Sequence, residues 1–200
     1  MKKFWLVLAA VLLLPFAAVS QESQEAELVR YEGFAVGAYF QNSYSLGKWA
    51  EHVKSSVGGG ISGEYTFIQF PIFDLGFSAR LEIDALVPQS NGLIQSATDF
   101  TILPGAYLRI PFSAGKFSAN FVPEFAYGLV IHNVTGIEKT DISGIYTDQV
   151  CLIAAGLRLT IPKLEQLEVE LSPLCMFDFE KEHVIFQAGF RVGALWHLSK

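Results

Sequence analysis

From residue 32 onward, apolar and polar residues alternate with a period of two, as in strands with one greasy and one wet face. Residues 74–85 show this most cleanly: Leu75, Phe77, Ala79, Leu81, Ile83 and Ala85 oppose Gly76, Ser78, Arg80, Glu82 and Asp84. Residues 184–198 repeat it. There Phe186, Phe190, Val192 and Trp196 share one face and Gln187, Arg191 and His197 the other, with Ile185 and Leu195 as exceptions. Segments 117–131 and 150–161 alternate in the same way, and the less regular 32–42, 57–68, 98–110 and 166–179 bring the expected strands to eight. Pro104 and Pro123 fall inside two of these segments. A proline cannot donate to a ladder, so each is expected at a bulge or local irregularity.

An even number of strands, each with the ~9–11 residues that cross a bilayer, suits a closed transmembrane barrel. Closure also removes the exposed edge that long apolar strands would otherwise present. The connections divide into two classes. If the N-terminus lies in the periplasm, the outward connections are 43–56, 86–97, 132–148 and 180–182, and the first three are long and polar. The periplasmic ones, 69–73, 111–116 and 162–165, are short and carry Pro71, Pro111 and Pro162. The expected fold is therefore all-β: an eight-stranded antiparallel transmembrane β-barrel with up-and-down topology.

Composition sharpens this reading. Hydrophobic residues make up 51% of the 200 residues and charged residues 17%, yet after residue 20 no apolar run reaches the roughly 18–20 residues of a spanning helix. The hydrophobicity is spread over short segments. A net charge of -6 with no basic run beyond Lys2-Lys3 argues against nucleic acid as a partner. Lys2 and Lys3, the apolar stretch from Phe4 to Ala18 and the small residues Ala18-Val19-Ser20 read as a secretory signal peptide over 1–20. No cysteine lies near its end to take a lipid anchor. Residues 21–31 then form a polar periplasmic leader, and 32–200 the barrel.

The polar faces carry Gly, Ala, Ser and isolated Arg or Glu, which suits a crowded lumen better than the wet face of a sandwich. A turn centred near residue 72 sets Glu64 opposite Arg80, and one near 164 sets Arg158 opposite Glu170. Glu82, Arg109, Glu124 and Arg191 share the inward parity and extend the expected ion-pair network, whose role is structural. A solvated strand face with charges paired by chance is the alternative. Aromatic residues near segment ends are expected to form girdles. These are Phe67, Phe70, Phe73, Phe112, Phe117 and Trp196 on the periplasmic side, and Tyr39, Phe40, Tyr44, Phe177 and Phe179 on the outer side.

Candidate chemistry is sparse. Cys151 and Cys175 could be cross-strand neighbours in a compartment that permits disulfides, or two separate lipid-facing thiols. His52, His132, His183 and His197 are dispersed, with no spacing that resembles a zinc site, so no metal and no cofactor are expected. No nucleophile elbow is present, and Gly58-Gly59-Gly60 lacks the Lys-Ser/Thr of a phosphate loop and reads as the flexible end of the first loop. No catalytic residues are assigned, and no enzyme activity is expected.

The signal peptide, eight alternating segments and a Phe/Trp-rich last strand resemble small outer-membrane β-barrel proteins of the OmpW, OmpX and OmpA-barrel type, over about residues 32–198. The usual terminal aromatic is replaced by Leu198-Ser199-Lys200. The resemblance implies a bacterial outer-membrane protein delivered by Sec-dependent export and seated in lipid by the outer-membrane assembly machinery. Its role would be structural or one of surface contact with an unknown ligand. Alternatives are a narrow channel for small hydrophobic molecules and a soluble periplasmic lipid-binding barrel.

Overall fold

The computed structural model describes residues 28–90, 93–114, 117–137, 143–179 and 184–199. The expected signal peptide, leader residues 21–27, the connection 180–182 and His183 lie outside them. Eight strands follow one another: β1 (Gly33–Leu46), β2 (Val53–Gln69), β3 (Asp74–Pro88), β4 (Ile94–Ala114), β5 (Phe117–Gly136), β6 (Gly144–Ile161), β7 (Leu164–Phe179) and β8 (Val184–His197). Each pairs antiparallel with the next, and β8 closes on β1 to complete a barrel. A 3-10 turn, Gly47–Glu51, joins β1 to β2. We call the end that carries the two termini the near end and its opposite the far end.

The strands outrun their sequence-based bounds. The connections expected over 43–56, 86–97 and 132–148 are mostly strand: β1 pairs with β2 as far as Tyr44 and Ser55, and β5 with β6 as far as Val134 and Gly144. Likewise, β4 continues through most of 111–116, to Ala114. On β2 the period breaks at the neighbours Ser55 and Ser56, both buried beside a register shift between Val53 and Ser55, while backbone pairing persists. The wall is uneven. β4, β5 and β6 have 21, 20 and 18 residues, whereas β1 and β8 have 14 each. Beyond Gln149, β6 pairs with β5 alone among the described residues, while β5 stays paired with β4 as far as Gly136, so β4, β5 and β6 form a three-stranded extension at the far end.

Side-chain direction follows the alternation. Phe34, Ile61, Phe77, Ile83, Phe125 and Phe190 stand outward and exposed, while Arg80, Glu82, Arg158, Glu170 and Arg191 on the intervening parity are buried. In water this exterior would be a vast apolar patch; against acyl chains it is the matching surface. Pro104 and Pro123 each fall in a two-residue gap of the β4–β5 pairing, across which the register resumes unshifted. The missing proline donor costs ladder bonds without creating a bulge.

Gly58, Gly59 and Gly60 are not the end of a loop but the middle of β2, paired to both β1 and β3. A side chain at Gly60 would come within 2.8 Å of the Tyr39 hydroxyl, and one at Gly58 within 2.3 Å of an Asp84 oxygen. The glycines make room for large polar groups that cross the interior. Gly76 does the same for Tyr107, its partner on β4, whose ring lies 2.2 Å from where a Cβ would stand. Cys151 pairs with Phe177, and Cys175 with Ile153, so the two cysteines are diagonal and both thiols are free.

Residues 28–31 fold across the near end. Arg30 donates to the carbonyls of Phe70 (2.7 Å) and Pro71 (2.5 Å), and Val29 N–H donates to Ser118 Oγ (3.0 Å). Tyr31 stacks on His197 with ring centroids 3.5 Å apart and donates to the Glu165 carbonyl. Burial pushes the Tyr31 phenol up to about 12, so it stays a donor at any ordinary pH.

Candidate functional site: the charged lumen

The lumen is filled by polar side chains that alternate parity alone brings inward. Four fully buried arginines, Arg80, Arg109, Arg158 and Arg191, meet Glu64, Glu82, Glu124, Glu168 and Glu170. Arg158 on β6 reaches across to β2, where its two terminal nitrogens donate to Glu64 at 2.7 Å each, and its Nε donates to Glu170 at 2.8 Å. Arg80 holds Glu124 through Nε and Nη2 at 2.7 and 2.6 Å. These forked pairs match the planar geometry of guanidinium and carboxylate, the strongest of side-chain hydrogen bonds.

Arg158 faces Glu170 directly across the β6–β7 ladder. Glu64 and Arg80 do not oppose each other: Glu64 faces Ser78, and Arg80 faces Ser62. Two small offsets add up: the turn is centred between Pro71 and Ile72, and the register shifts once more between Thr66 and Ile68, where Phe67 is an extra residue. The two charges meet only diagonally, at 3.6 Å. Arg191 lies 3.3 Å from Glu124 and 3.5 Å from Glu82, and Arg109 lies 3.4 Å from Glu168.

Tyr39 belongs to this network and not to a lipid-facing girdle. It is adjacent to the exposed Phe40, so in an alternating strand one of the two had to point inward. Its hydroxyl donates to Glu82 at 2.7 Å, and its ring lies under the Arg191 guanidinium at 4.7 Å. Arg109 and Arg158 likewise sit over Tyr107. The other expected girdle aromatics lie on the exterior. Phe67, Phe70, Phe117 and Trp196 at the near end are exposed, as are Phe40, Tyr44 and Phe179 toward the far end, whereas Phe73, Phe112 and Phe177 are half-buried. Phe67 stacks on Phe77, and Phe177 on Phe186.

Several lumen groups escaped the sequence reading although parity marked them. Glu168 shares the face of Glu170, and it accepts from Asn120 (2.6 Å) and bonds His197 Nε2 (2.7 Å). Gln41 donates to Glu82 and to Asp84, and Ser43, Ser56 and Gln187 bond one another. Leu103, Ala126, Val130, Val150, Leu152 and Met176 add an apolar patch on the β4–β7 side of the interior.

At the far end the lining changes character. His132 on β5 bonds Asp99 on β4 through Nδ1 at 2.7 Å, while its Nε2 lies 3.0 Å from Asp178 and 3.7 Å from Asp148. A cavity of about 20 Å³ beside them is lined by Asp84, Asp99, Asp178, Thr101, Ser56 and Gln187, among others. That is room for a single water-sized occupant.

No protein-family model matches the chain, and no curated protein matches it significantly in sequence. Solved structures do match. Neisserial surface protein A is 12% identical, with a TM-score of 0.56 over 84% of this chain and 98% of that one. The attachment invasion locus protein Ail of Yersinia pestis is 12% identical, with a TM-score of 0.47 over 82% and 98%. The N-terminal β-barrel domain of Pseudomonas aeruginosa OprF is 17% identical, with a TM-score of 0.43 over 84% and 100%. At such identities the Neisserial likeness speaks for the fold alone. The chain therefore shares the small closed-barrel fold of Neisserial surface protein A, with an apolar exterior that suits a bilayer and a charged interior.

Proposed function

We propose that this protein is a non-enzymatic membrane barrel with a sealed lumen, whose far end serves as a surface for contact. The observation that carries the reading is the Arg158 crossbar, which ties β6 to Glu64 on β2 through both terminal nitrogens. Around it the Arg80–Glu124 fork and the Arg191–Tyr39 stack fill the cross-section where a pore would run. Opening a path would strand buried charges, a cost of several kcal/mol for each broken pair. At the near end the 28–31 segment lies over the opening, held by Arg30 and Tyr31.

The contact surface in this reading is the β4–β6 extension at the far end. Ile145 on it is 73% exposed, beyond the last β7 partner among the described residues. Neisserial surface protein A bears a surface role in its name, which agrees with the proposal at the level of fold. Export by a signal peptide over 1–20, lipid contact through the apolar exterior and insertion by the outer-membrane assembly machinery belong to the same proposal.

Reconstitution in planar bilayers and in liposomes tests it. A folded barrel, verified by heat-modifiable gel migration, is expected to give no conductance steps and no swelling with small solutes. Reproducible conductance, or uptake of small hydrophobic solutes above empty liposomes, would replace the sealed barrel with a narrow channel.

A further inference from the structure

We propose that the far end of the lumen is a divalent metal site of the zinc class, with His132, Asp148 and Asp178 as ligands and Asp99 as the group that positions the histidine. The three ligands come from β5, β6 and β7, and their donor atoms all lie within 4.8 Å of one another. Ligands bound at about 2.0–2.1 Å to a tetrahedral ion stand about 3.3 Å apart. His132 Nε2 lies 3.0 Å from Asp178 Oδ2 and 3.7 Å from Asp148 Oδ2, on either side of that separation.

Two further observations point to a cation rather than to a self-contained acidic cluster. His132 Nε2 is buried and stands 3.0 Å from Asp178 Oδ2 without the alignment of a hydrogen bond, and Asp178 Oδ1 is likewise buried without a partner. The opposite ring nitrogen, Nδ1, bonds Asp99 at 2.7 Å. A carboxylate on the far nitrogen is the arrangement that fixes the tautomer and orientation of metal-binding histidines.

Charge and access agree. Asp99, Asp148 and Asp178 crowd one imidazole, with Asp84 beside Asp99, and among the described residues no Lys or Arg comes within ion-pair distance of them. A dication on the two ligand carboxylates would neutralise them. The adjoining cavity, about 20 Å³, can supply a water as fourth ligand. Asp148 keeps 19% of its side chain exposed and marks the entry route from the far side. The nitrogen ligand favours zinc and its first-row neighbours over calcium or magnesium, which take oxygen shells.

The test is titration of the refolded full barrel in micelles with Zn²⁺ against a chromophoric chelator, and with Co²⁺ for its visible spectrum. Wild-type protein is expected to bind one ion per chain and to give a Co²⁺ band of tetrahedral intensity. His132→Ala and Asp148→Asn should abolish the site, and Asp99→Asn should weaken it roughly 10–100-fold while keeping the spectrum. His52→Ala serves as a control for surface binding and should change nothing. Asp148→Asn, at the partly exposed entry, keeps the test sharp if His132→Ala fails to show heat-modifiable migration. No saturable binding by folded wild type, or binding undiminished from wild type in the folded Asp148→Asn and His132→Ala proteins, overturns the proposal; in the first case a protonated His132 is itself the cation. Affinity unchanged in Asp99→Asn removes Asp99 from the site.

Discussion

One lumen holds two unlike populations of charge. In the middle and toward the near end, four arginines face five glutamates, with forked pairs at 2.6–2.8 Å. At the far end, three aspartates surround a single histidine, with Asp84 beside Asp99. Both sets are carried by the same inward parity, so the difference lies in side-chain reach and in balance. Long guanidinium and glutamate groups span the barrel and balance one another in charge, which locks strands distant in sequence, although Arg109 and Arg191 each keep buried N–H groups without a hydrogen-bond partner. Short aspartates cannot reach across, and they are left converging on one small space. A buried ion pair is weak evidence of net stabilisation, but removing one member strands the other. The two regions should therefore answer oppositely to loss of a charge.

Arg158→Ala should give the largest effect. It deprives Glu64 of two hydrogen bonds and Glu170 of one, leaving both carboxylates buried without their principal cation. A loss of about 3–5 kcal/mol is expected, read as a lower urea midpoint in lipid micelles. An unchanged midpoint would mean that water reaches this region and that the crossbar does not seal it.

Tyr39→Phe asks how much of the inner network depends on a neutral partner. The substitution keeps the ring beneath Arg191 and Arg80 but removes the donor to Glu82. Gln41 still donates to Glu82, at 3.1 Å, so the carboxylate is not stranded. A loss of about 1.5–3 kcal/mol is expected for a hydrogen bond to a charged group. A loss as large as that of Arg158→Ala would show that the hydroxyl, and not the arginines, organises this layer.

The same two regions show what the sequence could reveal. The period of two displayed the strands, and with them the inward charges of the inner network other than Glu168, because one parity rule covers a whole strand. Register was harder. The tight turn after Ile161, with Lys163 in the left-handed region at φ 71°, pairs Ile161 with Leu164, and Arg158 comes opposite Glu170 only because the register shifts between Thr160 and Ile161. Glu64 missed Arg80 because the turn is centred between Pro71 and Ile72 and Phe67 then inserts an extra residue, which no alternation pattern announces. Tyr39 was legible and misread, since two neighbours in one strand cannot both face lipid. The far-end cluster was beyond linear reading: Asp99, His132, Asp148 and Asp178 come from four strands, and it is the pairing register of β4 through β7 that brings them together. The spacing rules that mark zinc sites in single loops and helices have no purchase on such a set.

Asp84→Asn carries the comparison to its smallest effect and reverses the expectation. Asp84 is buried beside Asp99 at the cavity, no Lys or Arg among the described residues pairs with it, and its Oδ2 accepts from Gln41 at 2.9 Å. The amide keeps an oxygen for that bond and nearly the same volume, while it removes one of the crowded negative charges. A change between about zero and 1 kcal/mol is expected, and in the stabilising direction, because relief of like-charge repulsion offsets the weaker hydrogen bond. Urea midpoints in metal-free micelles give the sign. A loss comparable to that of Arg158→Ala would show that Asp84 is balanced by a cation even without added metal, and the contrast between a charge-balanced inner lumen and an acidic outer one would then be wrong.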